Sequence, residues 1–149
     1  IQQSSDSTYR FYDFDRVDAT TQQPRPLQID AALSVTKAPH VDPILNQRTR
    51  LQDQTILTRL LTSPKFTIDK LSVRGESHFN QHHDYELFNV IAGDLTLTAE
   101  GTIYHLKKGD NFIMLKDTGN YTLSGQGEVI VSFVTPTSYR EQELSYLDN

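Results

Sequence analysis

Apolar and polar residues alternate along much of this chain. Between residues 65 and 136, short alternating runs follow one another at residues 66–73, 85–92, 95–99, 102–106, 111–115, 121–124 and 129–134. They are rich in β-branched and aromatic residues, which suits half-buried strands. Turn signals separate them: Gly93-Asp94, Glu100-Gly101, Lys108-Gly109-Asp110, Gly119-Asn120 and Gly125-Gln126-Gly127. Gly93-Asp94 and Glu100-Gly101 read as tight hairpin turns, where glycine supplies the positive φ. Many short strands at close spacing predict an all-β domain, an antiparallel sandwich or barrel.

The flanks are less regular. In residues 1–17, Tyr9, Phe11, Asp13 and Asp15 alternate with Arg10, Tyr12, Phe14 and Arg16, and this period of two predicts a strand. Residues 18–64 predict a connector. It opens with the polar turn Thr20-Thr21-Gln22-Gln23-Pro24, and Pro26 then introduces a short helix in LQIDAALSV through Leu27, Ala31, Leu33 and Val35. Pro39, Pro43 and the polar run at residues 47–54 predict irregular backbone, and residues 55–61 fit either a strand or a helical turn. Residues 137–149 form a polar tail, with Tyr139, Leu144 and Leu147 at roughly helical spacing.

Composition acts mainly by exclusion. The 149 residues suit one domain, or one domain with an appendage. The net charge is -5 and the Lys and Arg residues are scattered, which argues against a nucleic-acid or anionic-membrane partner. Without cysteine there is no disulfide, thiolate metal ligand or thiol nucleophile, in keeping with a cytoplasmic protein. No apolar run approaches the roughly 20 residues of a membrane-spanning helix.

Candidate chemistry gathers in two places. The stretch from Gly75 through His78, His82, His83 and Glu86 to Gly93 resembles the first cupin motif, with Glu86 and Gly93 at the motif's spacing. Asn80 stands where the first histidine should be. The second motif, after Gly109-Asp110, lacks its proline and its histidine. A metal needs three or four convergent donors. His78, His82 and Glu86 are the candidate set. The reading preferred here is that the histidines belong to a loop of a barrel that binds no metal, with Glu86 a hydrogen-bonded strand residue rather than a base.

The second place is the opening segment, Ser4-Ser5-Asp6-Ser7-Thr8-Tyr9-Arg10-Phe11-Tyr12-Asp13-Phe14-Asp15-Arg16. It resembles a signature of the type I mannose-6-phosphate isomerases in their shorter bacterial form. Arg25-Pro26-Leu27-Gln28-Ile29 and Lys107-Lys108-Gly109-Asp110-Asn111-Phe112-Ile113 also resemble that family. The resemblance implies a cupin-like jelly roll at residues 65–136, with a short helix and irregular connector before it. Residues 1–17 would complete the active-site wall of a cupin domain lying upstream. It further implies a zinc-dependent isomerase interconverting mannose 6-phosphate and fructose 6-phosphate, of which this chain is the C-terminal part.

Within that resemblance, Arg10 is the catalytic residue that stabilises the enediolate, and Arg16 is the candidate phosphate ligand. An offset of six keeps both on one face of a strand but roughly 20 Å apart if extended, so a bend must intervene. The family's zinc ligands should all lie upstream of Ile1. The expectation is therefore no bound zinc and no activity in this chain alone, with the N-terminal part of the same enzyme and a sugar phosphate as partners. The bland alternative pairs Arg10 and Arg16 with Asp13, Asp15 or Asp18 as surface ion pairs, makes Asp6 a turn or capping residue, and gives Tyr9 and Tyr12 packing roles. Two other functional readings stand beside the isomerase: a metal-free cupin module for sugar binding or regulation, and a cupin enzyme with its own metal at His78, His82 and Glu86.

Overall fold

A computed structural model describes residues 8–42, 44–45 and 47–135. Asp6 and the tail at residues 137–149 lie outside the described residues. The chain divides into two compact units, Ile1–Ile44 and Leu45–Asn149.

The second unit is an antiparallel β fold of eight strands. In chain order they are β1 (Arg48–Gln52), β2 (Thr55–Thr62), β3 (Phe66–Val73), β4 (Ser77–Asn80), β5 (Tyr85–Ala99), β6 (Thr102–Lys107), β7 (Asn111–Leu115) and β8 (Asn120–Val134). Their order is β1-β2-β3-β8-β5-β6, with β4 added to β8 and β7 to β5. Along β2, β3, β4, β5, β7 and β8, alternation sends one face inward. Leu57, Leu71, Val73, Phe79, Phe88, Val90, Leu95, Leu97, Met114, Tyr121, Leu123, Val129, Val131 and Phe133 form one core. At its centre Phe88 is 1% exposed and stacks on Phe112 with ring centroids 4.8 Å apart. Fully burying such a side chain stabilises the fold by about 1.5–3 kcal/mol.

Two of the expected turns, the hairpin turn at Gly93-Asp94 and the turn signal at Gly125-Gln126-Gly127, are not turns. β5 runs unbroken through Gly93-Asp94, and β8 runs unbroken through Gly125-Gln126-Gly127. These glycines face one another: Gly93 pairs with Gly127 and Leu95 with Gly125, just past a register shift between Val90 and Ala92. A Cβ on Gly93 would lie 2.1 Å from the Gln126 carbonyl oxygen, and one on Gly125 would lie 2.7 Å from that of Asp94. The glycines therefore serve close backbone approach where two long strands bend, not chain reversal. Glu100-Gly101 is a hairpin turn as expected, with φ of 50° and 74°, the type I′ combination.

The strands also begin earlier than expected. The polar run at residues 47–54 forms β1 and a turn at Asp53-Gln54, and residues 55–62 form β2. β1 lies at the end of the strand order and its first four residues are exposed, so it carries none of the apolar alternation that marks a buried strand. Ser77–Asn80, read as part of a loop, is the strand β4, whose Ser77 and Phe79 are buried.

In the first unit, the expected helix forms as α1 (Ile29–Val35), with Gln28 at its N-cap and Ala32 buried. The expected strand at residues 1–17 does not form over its described part, where only Val17 makes a bridge, to Pro24. A tight turn replaces it: the Arg16 amide donates to the Asp13 carbonyl at 3.0 Å, and Phe14 and Asp15 have φ of 52° and 54°. Asp18 closes the next turn by accepting the Thr20 and Thr21 amides, each at 2.9 Å. No helix among the described residues is long and apolar enough to cross a membrane.

Candidate functional site

Arg10 is held from several sides within the first unit. Its backbone amide donates to the Gln28 side-chain oxygen at 2.8 Å, and its carbonyl accepts from the Gln28 amide at 2.8 Å. Its Nη1 donates to the Pro26 carbonyl at 3.0 Å, while Nε lies 3.6 Å from Asp13. Asp13 is the hub. It accepts two hydrogen bonds from Arg25, at 2.7 and 2.6 Å, in the bidentate geometry that suits a guanidinium. These bonds, aided by the charges of Arg25, Arg10 and Arg16, hold the Asp13 carboxyl below the usual range against an opposing effect of burial. Arg16 lies over the Phe14 ring, 5.9 Å from its centroid. The turn at residues 13–16 supplies the bend between Arg10 and Arg16 that extended spacing lacks. The Arg10–Asp13 ion pair of the bland alternative is present, although Asp13 holds Arg25 more closely. Arg25 and Gln28 belong to the segment that carries the family resemblance but have no role assigned by sequence; an arginine beside Pro26 carries no local signal that Asp13 is its partner.

A second constellation lies wholly within the β fold, in a cavity of about 820 Å³. Inward alternation along β5 places Glu86 in register with Phe88 and Val90, facing this interior. Burial is the main cause that pushes its carboxyl up to about 7, and the nearby charge of Asp69 adds to it. His83 stacks on Phe133 with ring centroids 3.8 Å apart, and its Nε2 lies 3.7 Å from Glu86, beyond hydrogen-bond length. Burial pushes the His83 imidazole down. Tyr121 is pushed up, first by burial and then by Glu86. Across the cavity, Asp69 on β3 accepts from Arg59 on β2 at 2.9 and 3.1 Å. Gln81 fixes the loop before β5: its amide nitrogen donates to the Met114 carbonyl at 3.0 Å, and its oxygen accepts from the His83 amide at 3.1 Å.

His78, His82 and Glu86 are not brought together as a metal site. His78 is exposed on β4, with its ring 3.3 Å from Asp53 and 3.8 Å from Glu76, whereas Glu86 is turned inward. Among the described residues no group of three or more His, Cys, Asp or Glu side chains is placed to hold a metal ion. Glu86 sits on a strand, as expected. Its burial in a cavity with Asp69 and Arg59 went unseen, because β2 and β3 carry those two residues from distant parts of the sequence.

Eight antiparallel strands around a cavity lined by both polar and apolar side chains make the second unit a cupin-like fold. A cupin from Shewanella frigidimarina, described as RmlC-like, shares that fold with a TM-score of 0.52 at 14% identity, over 62% of this chain and 86% of its own. Residues 56–134 match the family described as mannose-6-phosphate isomerase, cupin domain, and the chain belongs to that family. It is 30% identical over 131 residues to the mannose-6-phosphate isomerase ManA of Bacillus subtilis, covering 88% of this chain and 41% of that protein. It is 34% identical over 134 residues to the mannose-6-phosphate isomerase of Streptococcus mutans, covering 88% and 41%. The crystal structure of the mannose 6-phosphate isomerase from Bacillus subtilis superimposes with a TM-score of 0.72 at 32% identity, over 87% of this chain and 41% of that one. The chain thus spans about two fifths of the length of these relatives.

Proposed function

We propose that this chain is the C-terminal part of a zinc-dependent aldose–ketose isomerase interconverting mannose 6-phosphate and fructose 6-phosphate, to which its first unit contributes Arg10. One observation carries this reading: similarity to the isomerases named above covers 88% of the chain, so it reaches beyond the cupin-family match at residues 56–134 into the unit that fixes Arg10. In such a reaction a proton moves between C1 and C2 of the open-chain sugar, and negative charge develops on the enediolate oxygens. A guanidinium already anchored on the Pro26 carbonyl and beside Asp13 meets that charge without reorganising. Its five donors exceed what this anchor uses. Arg16, beyond the turn, is assigned to the phosphate, which it suits as a bidentate donor. The exposed rings of Tyr9, Phe11, Tyr12 and Phe14 are apolar surface for the remainder of the enzyme to cover.

Zinc finds no ligand set among the described residues. On this proposal its ligands belong to the part of the relatives' length that the chain does not span, and the chain alone is inactive. Isomerisation measured with this chain and with a protein extended to the relatives' length tests the reading. Activity is expected only in the extended protein. There, Arg10→Ala should lower kcat by about 10²–10³-fold with a much smaller change in KM. Turnover by the 149-residue chain, or full turnover in the Arg10 variant, would overturn it.

A further inference from the structure

We propose that the cavity inside the β fold is a binding site of its own for an uncharged, polyhydroxylated small molecule of sugar size, held by Glu86, Asp69 and Arg59. The site is built from residues of the second unit alone and does not rest on the isomerase reading. Its volume, about 820 Å³, lies within the range of small-molecule pockets. The charged side chains that line the cavity include Arg50 from β1, Arg59 from β2, Asp69 from β3 and Glu86 from β5. The side-chain amides of Gln52, Asn80 and Asn120 also line it, and Asn80 donates to Asn120, so these groups are ordered before any ligand arrives.

Charge selects the ligand class. The Arg59 guanidinium is already matched by the bidentate Asp69 carboxylate, and Glu86 adds a second acid. A phosphate or carboxylate entering here would face three carboxyl groups, on Asp69, Glu86 and Glu100, against two guanidiniums, of which Arg59 is already held by Asp69 and Arg50 is the other. An organic cation would meet the guanidiniums of Arg50 and Arg59. Hydroxyl groups suit both: each donates to a carboxylate and accepts from a guanidinium or amide N–H. An uncharged ligand also avoids the cost of desolvating an ion in a partly buried site.

Titrating the ¹⁵N-labelled chain at pH 8 tests this, with D-mannose and D-fructose as uncharged probes, inorganic phosphate and mannose 6-phosphate as anions, and Tris as a cation. The sugars should saturably shift the amide resonances of Asp69, His83, Glu86 and Val131. Glu86→Gln, which replaces a charged acceptor by a neutral one of the same shape, should weaken that binding about fivefold with the rest of the spectrum retained. Asp69→Asn should weaken sugar binding and raise the affinity for inorganic phosphate, because Arg59 loses its carboxylate. Saturable binding of phosphate or Tris without binding of the sugars would overturn the proposal. So would shifts that map outside the cavity, the same sugar affinity in both variants, or no binding of any probe. Isomerase activity plays no part in the readout, so failure here leaves the isomerase reading untouched, and the converse holds.

Discussion

In the first unit Tyr9, Phe11, Tyr12 and Phe14 stand among Arg10, Asp13, Asp15 and Arg16 and remain exposed. In the second, Phe79, Phe88, Tyr121 and Phe133 stand in comparable alternation and are at most 9% exposed. The first unit is held by polar contacts at one carboxylate, Asp13, and around one cap, Gln28; among its described residues Ala32 is the buried apolar one. The second is held by apolar side chains from many strands meeting in one core. Alternation alone thus does not make a strand. It does so where neighbouring strands take up the backbone N–H and C=O groups and an opposite face covers the side chains.

The sharpest break in this comparison is Phe88→Ala. It should destabilise the β fold by about 3–5 kcal/mol, read as a lower urea midpoint, because the side chain is 1% exposed and the surrounding strands cannot collapse onto the space. An alanine in place of the exposed Phe14 should leave that midpoint unchanged.

Gly93→Ala comes next, with a loss of about 3 kcal/mol, at the upper end for atoms forced into filled space. The new Cβ meets backbone rather than a side chain that can rotate away, and φ at Gly93 is 79°. Gly101→Ala, in open space at the hairpin turn, should cost less; equal losses at the two sites would reject the close-approach role of Gly93.

Glu86→Gln gives an effect that depends on pH. The folded-state carboxyl titrates at about 7, above its ordinary 4.5, so the folded protein binds the extra proton between those values. Stability should therefore fall as pH rises from about 4.5 to beyond 7, by up to about 3 kcal/mol. The Gln variant should lose this fall and be more stable than the parent at pH 8. His83, pushed below its ordinary 6.5 by burial, acts with the opposite sign below that value. The difference between variant and parent isolates the Glu86 part, and parallel stability–pH curves for the two would reject it.

Asp13→Ala has the smallest expected effect on the β fold. It should shift the amide and guanidinium resonances of Arg10 and Arg25 and leave the urea midpoint of the second unit in place. In the parent, the Asp13 contribution is present above its ordinary pKa of 3.8 and is lost as pH falls through the depressed folded value. A lower midpoint of the second unit in this variant would show that the two units are not held independently.

Much of this was open to a reading of the sequence. Period two with β-branched residues marks β3, β6 and β7 within a residue or so, and Glu100-Gly101 marks its hairpin because positive φ there has a local chemical signature. Pro26 marks the approach to α1. These features depend on residues near one another in the chain, where backbone sterics and side-chain spacing act directly. Gly93 and Gly125 defeat the same reasoning. A glycine that opens a turn and one that admits a facing backbone look alike until the partner strand is known. Over the described residues 8–17 the expected strand fails for a related reason: Arg25, beyond the next turn, takes the Asp13 carboxylate and stabilises a turn where alternation alone suggests extended chain. Burial of Glu86 beside Asp69 and Arg59 was likewise decided by tertiary structure, because β2, β3 and β5 meet only when the sheet wraps around its core. Periodicity and turn chemistry are short-range properties and are written locally. Which groups share a low-dielectric interior, and so which carboxyl titrates near neutrality, depends on the strand order of the whole fold.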